Sequence, residues 1–356
     1  MITRTFYYDS LDQNLLSAYS SLQAAIAARS PSARVSGITN GEDFRRVFIG
    51  VSLDHPEYIY FAAIHAELNS NGDAVLPYLD IDENLFTTKI NQAVSVIYDS
   101  LGGKTDDYSK VKAIYDYLAT HVKYDYDAYE GYRRAANSGD SAQVLEYART
   151  QAFPFTPYAV FTRGVAVCEG IAKAFKILCD LFNVPCACLF CHENNNGQEG
   201  APHMNNLVTI NGVDTVVDVT AGLKTDDLPM IRYDYFLVGT EEISRFYIYD
   251  HPFNGYMSEL NYHKRKGQIF KSAYSLRKFL AGYNAAINNR ELRFRYDGDE
   301  IKEDEMENFA IRILNKYAPN EKQWVGGYRD GYFNAVLCDS YQIKRIQEAI
   351  RKRANA

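Results

Sequence analysis

Apolar residues recur at the three- and four-residue spacing of amphipathic helices along the first half of the chain. The pattern predicts helices over residues 15–29, 42–53, 83–101, 106–122, 142–149 and 168–182. In the fourth of these, Val111, Ile114 and Leu118 form one apolar stripe, and Asp106 or Asp107 precedes them as an N-cap. Each helix is therefore expected to turn one face towards a core.

Shorter segments alternate apolar and polar residues, as strands do. The pattern predicts strands over residues 58–68, 74–81, 186–191, 206–210 and 215–219, with Asn-Gly turns at 71–72 and 211–212. Beyond about residue 262, predicted helices over 272–288, 304–317 and 340–353 alternate with predicted strands over 291–296 and 328–337. The sequence therefore predicts an α+β protein whose tail is a small lobe of its own.

Charge and composition exclude several classes of function. The chain has 38 Lys and Arg residues against 45 Asp and Glu residues, a net charge of −7, so neither nucleic acid nor an anionic membrane is an expected partner. No apolar run approaches the roughly 18 residues of a membrane span. The first residues lack a basic leader followed by an apolar block, so a cytoplasmic location is expected. Six cysteines in 356 residues are too few for a disulfide scaffold.

Cys168 stands at the start of the helix predicted over residues 168–182. Ile171, Phe175 and Leu178 continue an apolar stripe that includes it, so the thiol lies on the buried side of the first turn. A helix N-terminus stabilises a thiolate. Because residues 165–167 are Val, Ala and Val, no side chain caps the helix, and we hypothesise that its first N–H groups are free to bind an oxyanion.

A thiol nucleophile needs a base, and the base needs an orienting group. His203 begins a predicted strand and Asp218 ends the next one, so an antiparallel hairpin would place them side by side. Three other interpretations stay open: Cys168 as a buried structural cysteine, His192 as the functional histidine, and Asp218 as an ordinary turn carboxylate.

The motifs Val-Cys-Glu-Gly-Ile-Ala at 167–172, His-x-x-Asn at 203–206 and Asp-x-Thr at 218–220 resemble the transglutaminase-like superfamily, especially its bacterial branch with cysteine-protease-type cores. The resemblance is specific over residues 105–222. It implies that Cys168 is the nucleophile, that His203 is the general base and acid, and that Asp218 orients the imidazole. It also implies an aromatic in the cleft at Tyr158, which could donate to the oxyanion, with Glu169 and Asn205 as further cleft residues.

The resemblance implies an α+β fold with a papain-like, transglutaminase-like core, in which the nucleophile helix packs on a small antiparallel sheet. We expect an N-terminal α+β lobe over 1–104, the catalytic core over 105–255 and a C-terminal α+β extension over 256–356. Two positions depart from the family pattern: Asn205 stands where the family usually has Trp, and Ala221 where an aromatic is common. Both would shape the cleft rather than transfer protons.

The implied activity is hydrolysis or acyl transfer at amide bonds of a peptide or protein, through a thioester. The alternative is a catalytically inactive binding module that keeps the fold, which the departures at Asn205 and Ala221 favour. The tyrosines at 124–132 are predicted either to line a substrate groove or to pack as an aromatic connector. The sequence leaves the oligomeric state open.

We expect neither a metal nor a cofactor. Residues 80–84 begin like a calcium loop, but Leu85 stands where the loop requires Gly. Cys179, Cys186, Cys188 and Cys191 with His192 raise the possibility of a zinc site. Only the last pair of cysteines has ligand-like separation, so small apolar core residues are the preferred interpretation.

Overall fold

The structure is a computed structural model that describes residues 5–61, 67–250, 258–283, 290–319 and 321–354. Its helices are α1 (Phe6–Ser10), α2 (Leu16–Ala27), α3 (Gly41–Asp54), α4 (Glu83–Leu101), α5 (Asp107–His121), α6 (Tyr126–Asn137), α7 (Ser141–Thr150), α8 (Pro157–Arg163), α9 (Cys168–Leu181), α10 (Val219–Gly222), α11 (Thr240–Ile243), α12 (Tyr262–Arg265), α13 (Ala273–Tyr283), α14 (Glu303–Lys316) and α15 (Ser340–Ala354). Its strands are β1 (Ser32–Arg34), β2 (Asp73–Val75), β3 (Lys123–Tyr124), β4 (Val165–Ala166), β5 (Cys186–Asn195), β6 (Gln198–Ile210), β7 (Val213–Val217), β8 (Phe236–Val238), β9 (Tyr247–Tyr249), β10 (Ile269–Phe270), β11 (Glu291–Tyr296), β12 (Lys322–Arg329) and β13 (Tyr332–Asp339). A 3₁₀ turn, Phe153–Phe155, precedes α8.

The chain divides into two compact units, where the sequence predicts three lobes. One unit comprises Met1–Thr220 and Val238–Met257, and the other comprises Ala221–Leu237 and Ser258–Ala356. Residues 1–104 join the core because polar side chains connect them to it. The Lys173 ammonium of α9 donates to the Ser52 hydroxyl of α3 at 2.6 Å. The Phe190 N–H of β5 donates to the Tyr7 hydroxyl of α1 at 2.8 Å.

The centre of the first unit is an antiparallel sheet with strand order β7-β6-β5-β9. Helix α9 packs on this sheet, and Phe175 and Leu178 are fully buried on it. The Asn206 carboxamide of β6 donates to the Ala172 carbonyl of α9 at 2.9 Å, which fixes the helix over the strand. The predicted α+β fold, with a nucleophile helix on a small antiparallel sheet, is confirmed.

Two Asn-Gly turns set the register of this sheet. Asn196 and Gly197 connect β5 to β6, Asn211 and Gly212 connect β6 to β7, and all four residues have positive φ. Asn and Gly tolerate this left-handed backbone best, so both hairpins close in two residues. Strands β5 and β6 are both longer than the sequence predicts, and the first of these turns is therefore tight.

The second unit holds a sheet of order β10-β11-β13-β12. Helices α13 and α14 contribute Leu276, Met306 and Leu314 to its core, against Phe294 and Phe333 of the sheet. The strand predicted over 328–337 is in fact a hairpin, β12 and β13, which turns at Asp330 and Gly331, both of which have positive φ. The C-terminal part is therefore α+β, as the sequence predicts.

Most predicted helices form close to their expected bounds. Asp106 is the N-cap of α5, and its side chain accepts from the Ser109 N–H. The strand predicted over 58–68 lies partly outside the described residues, and Phe61 forms only an isolated bridge with Tyr78. The end of the helix predicted over 272–288 also lies outside them. Among the described helices, none combines the length and apolar character that a bilayer crossing requires.

Candidate active site

Cys168 is the first residue of α9, and its N-cap Val167 offers no side chain to the helix. The side chain of Cys168 lies at the wall of a cavity of about 500 Å³, although the residue is only 8% exposed. Gly170 allows this helix start to lie against the chain before it, because a Cβ there would stand 2.5 Å from the Pro154 carbonyl oxygen. The sulfur, the uncapped N–H groups and the cavity thus meet at one point.

The hairpin of β6 and β7 brings His203 to Asp218, as the sequence predicts. The Nε2 atom of His203 lies 2.8 Å from Oδ2 of Asp218, whose residue is fully buried. Cys168 and His203 both lie on the wall of the same cavity, and the interaction with Cys168 is one of the causes that raise the pKa of His203. The structure therefore joins His203 to Asp218 by a hydrogen bond and brings Cys168 to the same cavity wall.

The charge state of His203 follows from this contact. Burial opposes protonation of the ring, but the Asp218 carboxylate and the hydrogen bonds to Asp218 and Cys168 outweigh it, and the pKa of His203 lies well above its ordinary value. The raised pKa favours the imidazolium form of His203. A neighbouring imidazolium favours the thiolate form of a cysteine.

Tyr247 of β9 is a site residue that the sequence analysis missed. Its hydroxyl donates to Oδ2 of Asp218 at 2.7 Å, and its ring stacks on the His203 ring with centroids 5.0 Å apart. The tyrosine therefore holds both the carboxylate and the imidazole in position. The only sequence signal is the short alternation Tyr247-Ile248-Tyr249. It predicts a strand but does not show which other strand pairs with it.

Tyr124 is the first of the tyrosines at 124–132, and the sequence analysis does not predict its position beside Cys168. Strand β3 pairs in parallel with β4, which puts Tyr124 opposite Ala166, two residues before Cys168. Its hydroxyl interacts with the Cys168 side chain. Burial, together with the neighbouring Cys168, raises the pKa of Tyr124, so this hydroxyl keeps its proton.

Of the predicted cleft residues Glu169 and Tyr158, only Glu169 lines the cavity in the structure. Glu169 lines the cavity and forms an ion pair of 2.6 Å with Lys173. Tyr158 does not line it: the ring packs with Phe153 and Phe86, and the hydroxyl accepts from the Asp82 N–H at 3.4 Å. The helical turn of α8 turns this side chain into the N-terminal core, so the structure does not support an oxyanion role for Tyr158.

Asn205 also lies away from the cavity wall. Its carboxamide donates to the Tyr249 hydroxyl at 2.9 Å and contacts the Cys191 sulfur at 3.7 Å. It is buried within the sheet, two residues beyond His203 on the same strand. Asn205 therefore does not form the cleft surface that the sequence analysis assigns to it.

Tyrosines from the 124–132 segment form part of the cavity, which agrees with the first of the two interpretations from sequence. Tyr129 and Tyr132 lie on α6, a helix that the irregular sequence pattern does not predict, and both line the cavity. The hydrogen bond from Tyr147 to the Ala128 carbonyl, at 2.7 Å, holds this helix against α7. The segment is thus both a cavity wall and a packed connector.

The remaining cysteines are buried thiols. Cys186, Cys188 and Cys191 all lie on β5, and Cys179 lies inside α9. Burial is the main cause that raises the pKa of Cys186, Cys188 and Cys191. Within the described residues, no group of three or more His, Cys, Asp or Glu side chains is arranged to hold a metal ion.

Comparison with known proteins gives one family. The model of the transglutaminase-like superfamily matches residues 95–219, which include Cys168, His203 and Asp218. No curated protein matches the chain.

Two solved structures are similar to part of this chain. The first is a TGase, 21% identical over 40% of this chain and 34% of its own, with a TM-score of 0.31. The second is described as a "putative cysteine protease" from Cytophaga hutchinsonii, 18% identical over 41% of this chain and 45% of its own, with a TM-score of 0.25. The chain thus spans less than half the length of either.

Proposed function

We propose that this chain, whose residues 95–219 form a transglutaminase-like domain, is a thiol-dependent enzyme that hydrolyses or transfers acyl groups at amide bonds of a peptide or protein. The observation that carries the proposal is the His203–Asp218 hydrogen bond of 2.8 Å, with His203 and Cys168 on the wall of the same cavity. That arrangement is what nucleophilic catalysis by a cysteine requires.

In the first step the Cys168 thiolate attacks the substrate carbonyl carbon, and a C–S bond forms. The carbonyl π electrons move to oxygen, and the uncapped N–H groups at the start of α9 are placed to receive that oxyanion. His203 then gives its proton to the leaving amine as the C–N bond breaks. The acyl group remains on the sulfur as a thioester.

In the second step water or an amine attacks the thioester carbonyl, and His203 takes a proton from that attacking water or amine. The C–S bond breaks and the thiolate returns beside the imidazolium. Asp218 holds the ring in one orientation through Nε2, and Tyr247 holds Asp218 and the ring. Such a positioned imidazole contributes typically about 10²–10⁴ in rate.

Alkylation of Cys168 by iodoacetamide at pH 6, followed by mass spectrometry, tests the proposal. An ordinary thiol of pKa about 8.5 is only about 0.3% thiolate at that pH. We expect wild-type Cys168 to react at least about 10-fold faster than Cys168 in a His203→Ala variant, because the imidazolium favours the thiolate. His192→Ala, on the adjacent strand β5, is the matched control and should react like wild type. Equal rates for wild type and His203→Ala would instead favour the inactive binding module.

Removing the Tyr124 hydroxyl is expected to weaken catalysis without abolishing it. A hydrogen bond to a charged group is typically worth about 1.5–3 kcal/mol, so we expect Tyr124→Phe to lower kcat/KM by about 10-fold or more. Tyr126→Phe is the matched control, since that neighbouring ring is 58% exposed. Steady-state kinetics on a peptide amide checks the result, and an unchanged kcat/KM in Tyr124→Phe would remove this residue from the mechanism.

A further inference from the structure

We infer that the residue carrying the scissile carbonyl presents a large apolar side chain to the cavity beside Cys168. This inference rests on the proposed function, since it names the acyl donor of the same site. The side chain of that residue is attached to the atom next to the carbonyl carbon, so it is the substrate side chain separated by the fewest bonds from the carbon that the sulfur attacks. Cys168 and His203 both lie on the cavity wall, which makes this cavity the space that such a side chain enters.

The walls of the cavity are mainly aromatic and aliphatic. The apolar and aromatic side chains on it are Phe44, Phe48, Ile49, Leu68, Tyr129, Tyr132, Phe155, Val167, Phe190, Pro202 and Met204. A volume of about 500 Å³ is within the range of small-molecule sites and far exceeds the needs of a small side chain. Burial of a large apolar group in such a space is favourable in proportion to the area removed from water.

The charged groups on the wall already have partners. The Arg45 guanidinium forms an ion pair with the Glu42 carboxylate at 3.0 Å, and it lies 3.6 Å from the Asp250 carboxylate. Glu169 is paired with Lys173. His203 is paired with Asp218 in the same way. A charged or carboxamide side chain of the substrate would lose its hydration on entering the cavity. The ionic groups of the wall are already paired, so they would not compensate that desolvation, and binding of such a side chain is disfavoured.

One side of the cavity comes from outside the transglutaminase-like segment. Phe44, Phe48 and Ile49 of α3, with Leu68 after it, precede residue 95. Helix α3 is fixed over the nucleophile helix through the Ser52–Lys173 hydrogen bond. The N-terminal part of the chain thus selects the acyl side chain, while residues 95–219 supply the chemistry.

The inference is tested with N-blocked aminoacyl chloromethyl ketones, which alkylate the thiol and differ only in the side chain of the acyl residue. For Cys168 we expect the Phe and Leu reagents to react at least about 10-fold faster than the Ala, Gln and Glu reagents, each rate divided by that of iodoacetamide. Equal rates, or a preference for Gln or Glu, overturn the inference. A second set varies the preceding residue instead, and selectivity only there would overturn the assignment to the acyl residue.

Two variants of the cavity lining test whether the cavity beside Cys168 causes the preference for a large apolar acyl side chain. Leu68→Trp fills the cavity and should lower the Phe-to-Ala rate ratio by about 10-fold, because one or two methylenes in an apolar pocket are worth that much. Val96→Trp, at an exposed position of α4, is the matched control and should keep the wild-type ratio. Ile49→Ala enlarges the same cavity and should raise the rate with a Trp reagent relative to Phe, which provides a readout if Leu68→Trp does not fold. Unchanged ratios in both cavity variants would overturn the inference.

Failure of this inference is separable from failure of the proposed function. Iodoacetamide has no amino-acid side chain, so its rate at pH 6 reports only whether Cys168 is activated. Slow iodoacetamide labelling would count against the proposed function itself. Fast iodoacetamide labelling without side-chain selectivity would overturn only the assignment of an apolar acyl donor.

Discussion

Replacing Cys168 with alanine is expected to lower kcat on any amide substrate by about 10⁴-fold or more. The sulfur is the atom that forms the thioester, and neither His203 nor Asp218 can take over that bond. Burial of Cys168 at the start of α9 means that alanine fits with little loss of packing, so the fold should survive. Steady-state kinetics with circular dichroism of the same sample checks both statements.

The matched control is Cys338→Ala, a buried thiol on β13 that the mechanism does not use. Its kcat should equal that of wild type, which excludes a general requirement for thiols. Residual activity in folded Cys168→Ala within 10-fold of wild type would rule out the thioester mechanism.

Replacing Asp218 with asparagine is the second change with a large expected effect. The carboxylate is a main cause of the raised pKa of His203, so its removal leaves burial to lower that pKa. The imidazolium then loses its proton at a lower pH, and the neutral carboxamide of asparagine holds the charged ring less strongly than a carboxylate does. We expect kcat/KM to fall by about 10²–10⁴-fold.

The pH dependence of this variant has a definite sign. Because the folded pKa of His203 is raised, the stability that it contributes is complete below the unfolded value of about 6.5 and is lost as pH rises through the folded pKa. Asp218→Asn should show a weaker fall in the free energy of unfolding over that window, as urea titrations at several pH values would measure.

Asp214→Asn is the control for the Asp218 experiment. Asp214 lies near the other end of the same hairpin, where its carboxylate bonds to the Thr209 hydroxyl. It should leave both the pH profile and kcat/KM unchanged. A pH profile in Asp218→Asn that matches wild type would show that the carboxylate does not control the charge of His203.

Local pattern was enough to predict the nucleophile helix. The apolar stripe that includes Ile171, Phe175 and Leu178 places Cys168 on the buried side of the first turn. Residues 165–167 have no side chain that could cap the helix, so the sequence predicts an uncapped N-terminus. Both are properties of a few neighbouring residues, which is why sequence alone could state them. The Asn211-Gly212 turn likewise predicts the hairpin that joins His203 to Asp218.

The wrong or missing assignments share a different cause. The family resemblance placed Tyr158 in the cleft, but α8 turns it into the N-terminal core. Tyr247 and Tyr124 reach the site through strand pairings, one with β5 and one with β4. No local spacing specifies which strands pair, because that depends on how distant segments bury their apolar faces together.

By itself, the sequence determined the main helices and the hairpin that places His203 beside Asp218, since each follows from periodicity and turn chemistry over short distances. Only the tertiary structure decided that helix α3 and Leu68 close a cavity over Cys168, and that Tyr124 and Tyr247 support the thiol and the carboxylate. Those contacts join residues about 30 to 125 positions apart, and the free energy of packing, rather than any local preference, brings them together.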